Sequence, residues 1–279
     1  MSAYNEVPVG KYKLLVLDID GTVTNSEKKL LDKTRKKIIE LQERGIRVVL
    51  ASGRPPQGVI PIAKELEFSR FHSYILSHNG AKIIDCKTKD CIYEKHLPLH
   101  IPGRLWQDAL THGIGICTYW DNKLIAGTPP DSYMELEARI TKLPIQYRED
   151  FGTYVKFHVN GCLLTGDPHD MEAVDSVVKK KFFHETEIFY SEPYFLEVIP
   201  KNVDKAFGLK HLLKILDIKN NEMVCCGDSF NDIRMIQYAG VGVAMKNGQE
   251  KLKAVANYVT KNDNDHDGIV EVIEHFFPN

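Results

Sequence analysis

Three stretches of this 279-residue chain place carboxylates, a hydroxyl and glycines where an apolar run stops. They are Asp18-Ile19-Asp20-Gly21-Thr22, Ser52-Gly53-Arg54 and Gly227-Asp228-Ser229. Ligands of an open parallel sheet bind outside the carboxyl ends of its strands, so residues at those ends converge on one crevice. Such a set suits an anion beside a hard cation. Mg2+ in particular keeps several waters and takes one or two protein carboxylates together with substrate phosphate. Read alone, each stretch has a plainer meaning. An Asp-x-Asp-Gly-Thr loop also makes an Asx-turn or a helix cap, and Ser before Gly is an ordinary turn pair. Asp, Ser and Asn after Gly227 are favoured at a helix N-terminus, which itself attracts phosphate.

The elements that must position these residues alternate in type. Lys13–Asp18 is a short apolar run of the kind buried in a parallel sheet. A helix is expected over Leu31–Arg44, stopped by Gly45, then a strand at Ile46–Ser52, a helix at Gln57–Leu66 and a strand at Tyr74–Ser77. The rhythm resumes late in the chain, with strands at Met223–Gly227, Val241–Ala244 and Tyr258–Thr260 and helices at Asn231–Ala239, Gln249–Ala256 and Gly268–Phe276. Lys205 stands at the start of a helix over Asp204–Leu213, after a strand-like Phe195–Ile199. The middle differs: a hairpin over Gly115–Ala126 turning at Asp121-Asn122-Lys123, helices at Ser132–Lys142 and His169–Phe182, and strands near Tyr154–Val159 and Glu187–Tyr190. The expected fold is therefore α/β, a doubly wound, mainly parallel Rossmann-like core made of residues 1–85 and 191–279, with an α+β domain inserted at 86–190.

Bulk composition narrows the classes. The 36 basic and 38 acidic residues nearly cancel, to a formal charge of −2, which argues against a broad nucleic-acid surface. No apolar run reaches the roughly 20 residues that span a bilayer. Met1–Gly10 lacks a basic start followed by an apolar stretch, so a cytoplasmic protein is expected. The six cysteines follow neither a disulfide framework nor a zinc-ribbon spacing and read as reduced thiols.

Together the motifs resemble the haloacid dehalogenase-like superfamily of phosphatases. Its signature is an Asp-x-Asp-Gly-Thr loop, a later Ser or Thr ending a strand, a Lys, and Gly-Asp-x-x-Asn-Asp. They stand here in that order as Asp18-Ile19-Asp20-Gly21-Thr22-Val23, Ala51-Ser52-Gly53-Arg54-Pro55, Lys205, and Gly227-Asp228-Ser229-Phe230-Asn231-Asp232. The insertion between the second and third motifs is similar to the Cof-type subgroup, whose large α/β cap occupies that position. His78-Asn79-Gly80-Ala81, Glu197-Val198-Ile199-Pro200-Lys201, Gly242-Val243-Ala244-Met245 and Asp265-His266-Asp267-Gly268 also resemble that subgroup. Val23, Asn202 and Lys246 depart from its commoner Leu, Gly and Gly, away from the chemistry.

The resemblance implies a Mg2+-dependent phosphatase. Asp18 would be the nucleophile, forming an aspartyl-phosphate, and Asp20 the general acid and base. Asp18, the Asp20 backbone carbonyl and Asp228 would hold Mg2+, offsetting the repulsion between carboxylate and phosphate. Ser52, Gly53, Lys205 and Asn231 would bind phosphate, and Asp232 would support the metal shell through water or a hydrogen bond. The substrate would be a small phosphorylated metabolite, a sugar phosphate first, with the cap choosing the leaving group; the oligomeric state is open. A phosphotransferase or mutase, or a non-catalytic phospho-acceptor protein, would need the same scaffold.

Asp263-x-Asp265-x-Asp267-Gly268, followed by Glu274, has the spacing of an EF-hand calcium loop. The extended Tyr258-Val259-Thr260 before it, and the lack of a second copy, point instead to a polar loop capping the last helix. Pro98 argues against His96 and His100 as a helical metal pair. Tyr119 and Trp120 suit either packing of the inserted domain or stacking on a substrate ring.

Overall fold

Runs of Leu, Val and Ile in the first part of the chain build strands with no exposed side. The computed structural model describes residues 10–278, so the reading of Met1–Gly10 as lacking a leader falls, except for Gly10, outside the described residues. In chain order the elements begin with β1 (Leu14–Leu17), α1 (Asp32–Glu43), β2 (Arg47–Ala51), α2 (Pro56–Glu65), α3 (Phe68–Phe71), β3 (Tyr74–Ser77), β4 (Lys82–Asp85) and β5 (Cys91–Glu94). There follow α4 (Ile101–His112), β6 (Gly115–Trp120), β7 (Lys123–Ala126), α5 (Ser132–Thr141), β8 (Ile145–Tyr147), α6 (Phe151–Tyr154), β9 (Cys162–Thr165), α7 (Pro168–Phe182), β10 (Thr186–Glu192) and β11 (Phe195–Pro200). The chain ends with α8 (Lys205–Leu216), β12 (Met223–Gly227), α9 (Ile233–Tyr238), β13 (Val241–Ala244), α10 (Glu250–Lys253), β14 (Tyr258–Val259) and α11 (Gly268–Phe276). Among the described residues no helix is long and apolar enough to cross a membrane.

The first compact unit comprises the described residues up to Ser52, then Val59–Ile92 and the described residues from Asp204 onward. Its sheet runs β14-β13-β12-β1-β2-β3-β4-β5. β1 lies parallel to both β2 and β12, with Leu17 opposite Leu50 and Cys226. β3, β13 and β14 continue the parallel register, and β4 turns antiparallel to β3. One face packs α1, α2 and α11 through Ile38, Leu41, Val59, Ile62, Ile269 and Phe276 onto Leu15, Leu17, Val48 and Leu50. α8 lies against β3 and β4, and α9 against β12 and β13. Burying both faces explains why these strands are continuous apolar runs with no alternation. The sequence anticipates this doubly wound, mainly parallel architecture.

The second unit comprises Gly53–Gly58 and Tyr93–Val203. Its sheet, β10-β11-β9-β6-β7-β8, is antiparallel except for the β7–β8 pair. α4 and α7 cover one face through Ile101, Leu105, Val174, Val178 and Phe182. Met134 of α5 packs on the other with Cys117, Leu124 and Leu163. The hairpin turns at Asp121 and Asn122, φ +48° and +56°, as a two-residue turn requires.

Several expectations are corrected here. The unit extends past residue 190, because β10 and β11 form one antiparallel ladder and β11 also pairs with β9. The expected strand at Tyr154–Val159 is absent: α6 ends at Tyr154, and Phe157 turns aside to stack on Trp120 at 4.1 Å between ring centroids. The ladder there belongs to β9, a four-residue buried run between Gly161 and Gly166 that is too short to stand out by periodicity. α4 escapes the sequence reading because Pro102 and Gly103 fall in its first turn, where a missing N–H costs little. Asn202 adopts φ +58°, which explains why a glycine is commoner there. Tyr119 turns inward and its hydroxyl donates to Glu137 Oε1 at 2.7 Å, whereas Trp120 remains 43% exposed.

On the α5 side, Glu197 accepts from Ser191 Oγ at 3.0 Å. Burial, then the neighbouring Glu137 charge, push its carboxyl from 4.5 up to about 8. A carboxyl raised in the folded state contributes its stabilisation fully below the unfolded value, and loses it as pH rises through the folded one. The protein should therefore lose about 2 kcal/mol between pH 5 and 9 relative to Glu197→Gln, less than the full shift because Glu197 keeps some contact with water. Thermal midpoints of the two proteins across that range check this; parallel profiles would mean that Glu197 stays ionised throughout.

Candidate active site

The hydrogen bond from Asp18 N to Cys226 O, 3.0 Å long, carries the β1–β12 ladder one residue beyond the strand. That contact leaves the Asp18 side chain at the carboxyl end of the sheet, where β1 gives way to a tight loop. Gly21 turns the loop at φ +80°, and a Cβ there would run into the Asp228 carboxylate. Thr22 Oγ1 donates to Asp228 Oδ1 at 2.9 Å, and Asn247 Nδ2 donates to Gly21 O at 2.8 Å. The first and last motifs are thus interlocked by direct contacts across more than 200 residues of sequence.

Lys205 enters from the first turn of α8. Asp204 caps that helix, accepting from Phe207 N at 2.7 Å, and pairs with Arg234 at 2.8 Å. The Lys205 side chain is fully buried, with Nζ 2.5 Å from Asp18 Oδ1 and 2.6 Å from Asp232 Oδ1. Asp232 Oδ2 accepts the backbone N–H groups of Asp228 and Ser229, both at 3.0 Å. Both Asp232 oxygens are therefore engaged. Although one oxygen from each of Asp18, Asp228 and Asp232 lies within 4.8 Å of the others, Asp232 is better placed to organise the cluster than to ligate an ion.

Three carboxylates, Asp18 and Asp232 buried and Asp228 partly so, surround a single buried ammonium. Burial raises the Asp18 carboxyl well above the usual carboxylate range, with Lys205 opposing and the charges of Asp232 and Asp228 adding to the rise. Burial, then Asp232, push Asp228 up to about 6. Burial alone would lower Lys205, but Asp18 and Asp232 outweigh it and hold its pKa above that of an ordinary lysine. Uncompensated negative charge around hard oxygen donors is what a divalent cation of the Mg2+ kind would neutralise, so the donor set fits such an ion.

The remaining expected residues fall around this cluster. Asp20, two residues past Asp18, is partly exposed and pairs with Lys28 at 2.9 Å. Ser52 is buried at the end of β2, its N–H bonded to Leu76 O at 2.8 Å, and Gly53 follows it. Asn231 lies on the turn before α9 and donates from Nδ2 to Asn79 Oδ1 at 3.0 Å. Asn79 N in turn donates to Ser52 O at 3.0 Å. Asn79 thereby ties the second motif to the fourth, a part that sequence reasoning did not assign although it singled out the His78-Asn79-Gly80-Ala81 stretch. Gly80, at φ +97°, is required there because a Cβ would meet the Asp204 carbonyl. Thr22, Asn247 and Lys28 were also not assigned; Thr22 alone carried a signal, as part of the Asp-x-Asp-Gly-Thr loop.

Residues 15–273 match the family model of the haloacid dehalogenase-like hydrolases. The chain belongs to that family. A haloacid dehalogenase-like hydrolase from Bacteroides thetaiotaomicron superposes with a TM-score of 0.90 at 41% identity, covering 95% of this chain and 100% of that one. A protein from Thermotoga maritima gives a TM-score of 0.82 at 26% identity, covering 94% and 97%. The 5-amino-6-(5-phospho-D-ribitylamino)uracil phosphatase YcsE of Bacillus subtilis is 29% identical over 95% of each chain. Within the family this chain is an enzyme of the phosphatase type.

Proposed function

We propose that the enzyme hydrolyses a small phosphorylated metabolite, a sugar or polyol phosphate first, through an aspartyl-phosphate on Asp18. The observation that carries this reading is the buried Lys205 ammonium, 2.5 Å from Asp18 Oδ1 and held from behind by Asp232. It keeps the carboxylate aimed, and its charge serves an incoming phosphoryl group. An Asp18 oxygen attacks phosphorus as the bond to the leaving oxygen breaks, and Asp20 delivers a proton to that oxygen. Asp20 then takes a proton from water as the water oxygen attacks phosphorus, releasing inorganic phosphate and restoring Asp18. Ser52, the Gly53 N–H, Lys205 and Asn231 hold the phosphate oxygens, with Asn79 fixing Asn231. Asp18, Asp228 and the Asp20 carbonyl would hold Mg2+, which would supply the positive charge that lets two anions approach. The second unit, as a cap, selects the leaving group. YcsE is named for a ribityl phosphate, which supports a polyol phosphate as the first substrate to try.

Phosphate release from a panel of sugar, polyol and nucleotide phosphates, with Mg2+ and with EDTA, tests this. Release that EDTA abolishes and Mg2+ restores is the expected result. A folded, Mg2+-supplied protein that releases no phosphate without an added acceptor would overturn it in favour of phosphoryl transfer.

A further inference from the structure

The Asp263–Asp267 loop has a calcium-like spacing, yet its carboxylates are committed to protein donors. Each oxygen of Asp265 accepts from Ser26, one from N and one from Oγ, both at 2.7 Å. Asp267 Oδ1 accepts from Thr34 N and Oγ1 at 3.2 and 2.8 Å. Asp263 Oδ1 accepts from Asp265 N at 3.1 Å and lies 2.6 Å from His266 Nδ1. All of these bonds but Asp263's run to the segment that follows the nucleophile loop.

Two further links reach the loop itself. Asn264 Nδ2 donates to Thr24 O at 3.0 Å, and Asn264 N donates to Asn247 Oδ1 at 3.2 Å. Asn247 passes the connection to Gly21 O. Between these anchors Asn25 Oδ1 accepts from the N–H groups of Glu27 and Lys29, closing a tight turn with Lys28 at φ +62°. From that turn Lys28 Nζ reaches Asp20 Oδ1 at 2.9 Å.

We propose that the 263–267 loop is a positioning element for Asp20: Asp265 fixes Ser26, the turn then presents Lys28, and Lys28 holds the Asp20 carboxylate. This rests on the reading of Asp20 as the proton donor and acceptor. An exposed ion pair of this kind adds little to stability. A general acid, however, must stay within hydrogen-bond reach of the leaving oxygen, and a misplacement of about 1 Å can cost roughly a hundredfold in rate. The brace should therefore be felt in kcat/KM and hardly in folding. It should be felt most where the leaving group needs a proton.

The experiment compares Asp265→Ala, Ser26→Ala and Lys28→Gln with the wild type and with Asp20→Asn. Substrates are an alkyl phosphate from the panel and p-nitrophenyl phosphate, whose phenolate leaves without protonation. Each brace variant should lose about tenfold in kcat/KM on the alkyl ester and less than about threefold on the aryl ester, with an unchanged thermal midpoint, because kcat/KM reports formation of the aspartyl-phosphate and leaves out its hydrolysis, which both esters share. The Asp265→Ala, Lys28→Gln double variant should be no slower than the slower single one, since both act through one contact. Equal losses on both esters, no loss, or a gain on Lys28→Gln would overturn the inference if Asp20→Asn still shows the leaving-group-dependent loss. If Asp20→Asn itself treats the two esters alike in kcat/KM, the assignment of Asp20 as the acid falls, and the inference falls with it.

Discussion

Asp18→Asn should yield a folded protein whose phosphate release is slower by about ten-thousand-fold or more, the scale seen when a nucleophile is removed. The amide is nearly isosteric, and its oxygen can still accept from Lys205, so the packing around β1 has no reason to change. What disappears is the negative charge and nucleophilicity that attack at phosphorus requires. Stability should hold or rise slightly, because one of three carboxylates crowded around one buried ammonium has been neutralised. Phosphate release and a thermal melt on the same preparation check both halves. Activity within about tenfold of wild type would remove Asp18 from the chemistry. A collapsed midpoint would mean that its charge is structural.

Lys205→Met should do the reverse damage, harming the fold as well as the rate. The lysine is fully buried and is the bridge between Asp18 and Asp232. Methionine fills similar volume but leaves both carboxylates facing each other without a cation. Removing one partner from a buried ion pair costs about 3–5 kcal/mol. For a protein of this size that is roughly 10 °C in apparent midpoint. Asp232 also receives the N–H groups of Asp228 and Ser229, so loosening it should disturb Asp228 at the end of β12 together with Asp18. The expected signature is a lower midpoint, phosphate release near background, and a partial recovery of midpoint when Asp232→Asn is added. A Lys205→Met protein as stable as wild type would show that water or an ion replaces the ammonium.

Much of the site was legible because its chemistry is spelled in contiguous residues. Asp18 to Thr22 and Gly227 to Asp232 are loops that directly follow strands, and the strands themselves are apolar runs whose ends the Asp and Gly residues mark. β3, β12 and β13 occupy the expected residues, since a strand buried on both faces leaves a short unbroken signal. Lys205 was placed only by the order of motifs, as a lysine at a helix start is otherwise unremarkable. The inserted unit was less legible. The alternating Tyr154–Val159 segment has a strand's pattern but starts inside α6 and joins no ladder among the described residues, whereas β9 has partners on both sides and almost no pattern.

The sequence by itself determined the alternation of strands and helices in the core and the identities of the charged groups, because each depends on local periodicity or on residue type, and the likeness of its motifs to a phosphatase family implied the reaction class. Only the tertiary structure decided who faces whom. Asp232 meets Lys205 directly and has both oxygens engaged, Asn79 joins Ser52 to Asn231, and Asp265 accepts from Ser26. The physical reason is the same in each case. A hydrogen bond acts over about 3 Å of space whatever the separation in sequence, so its partners are set by how the layers pack and not by any pattern along the chain.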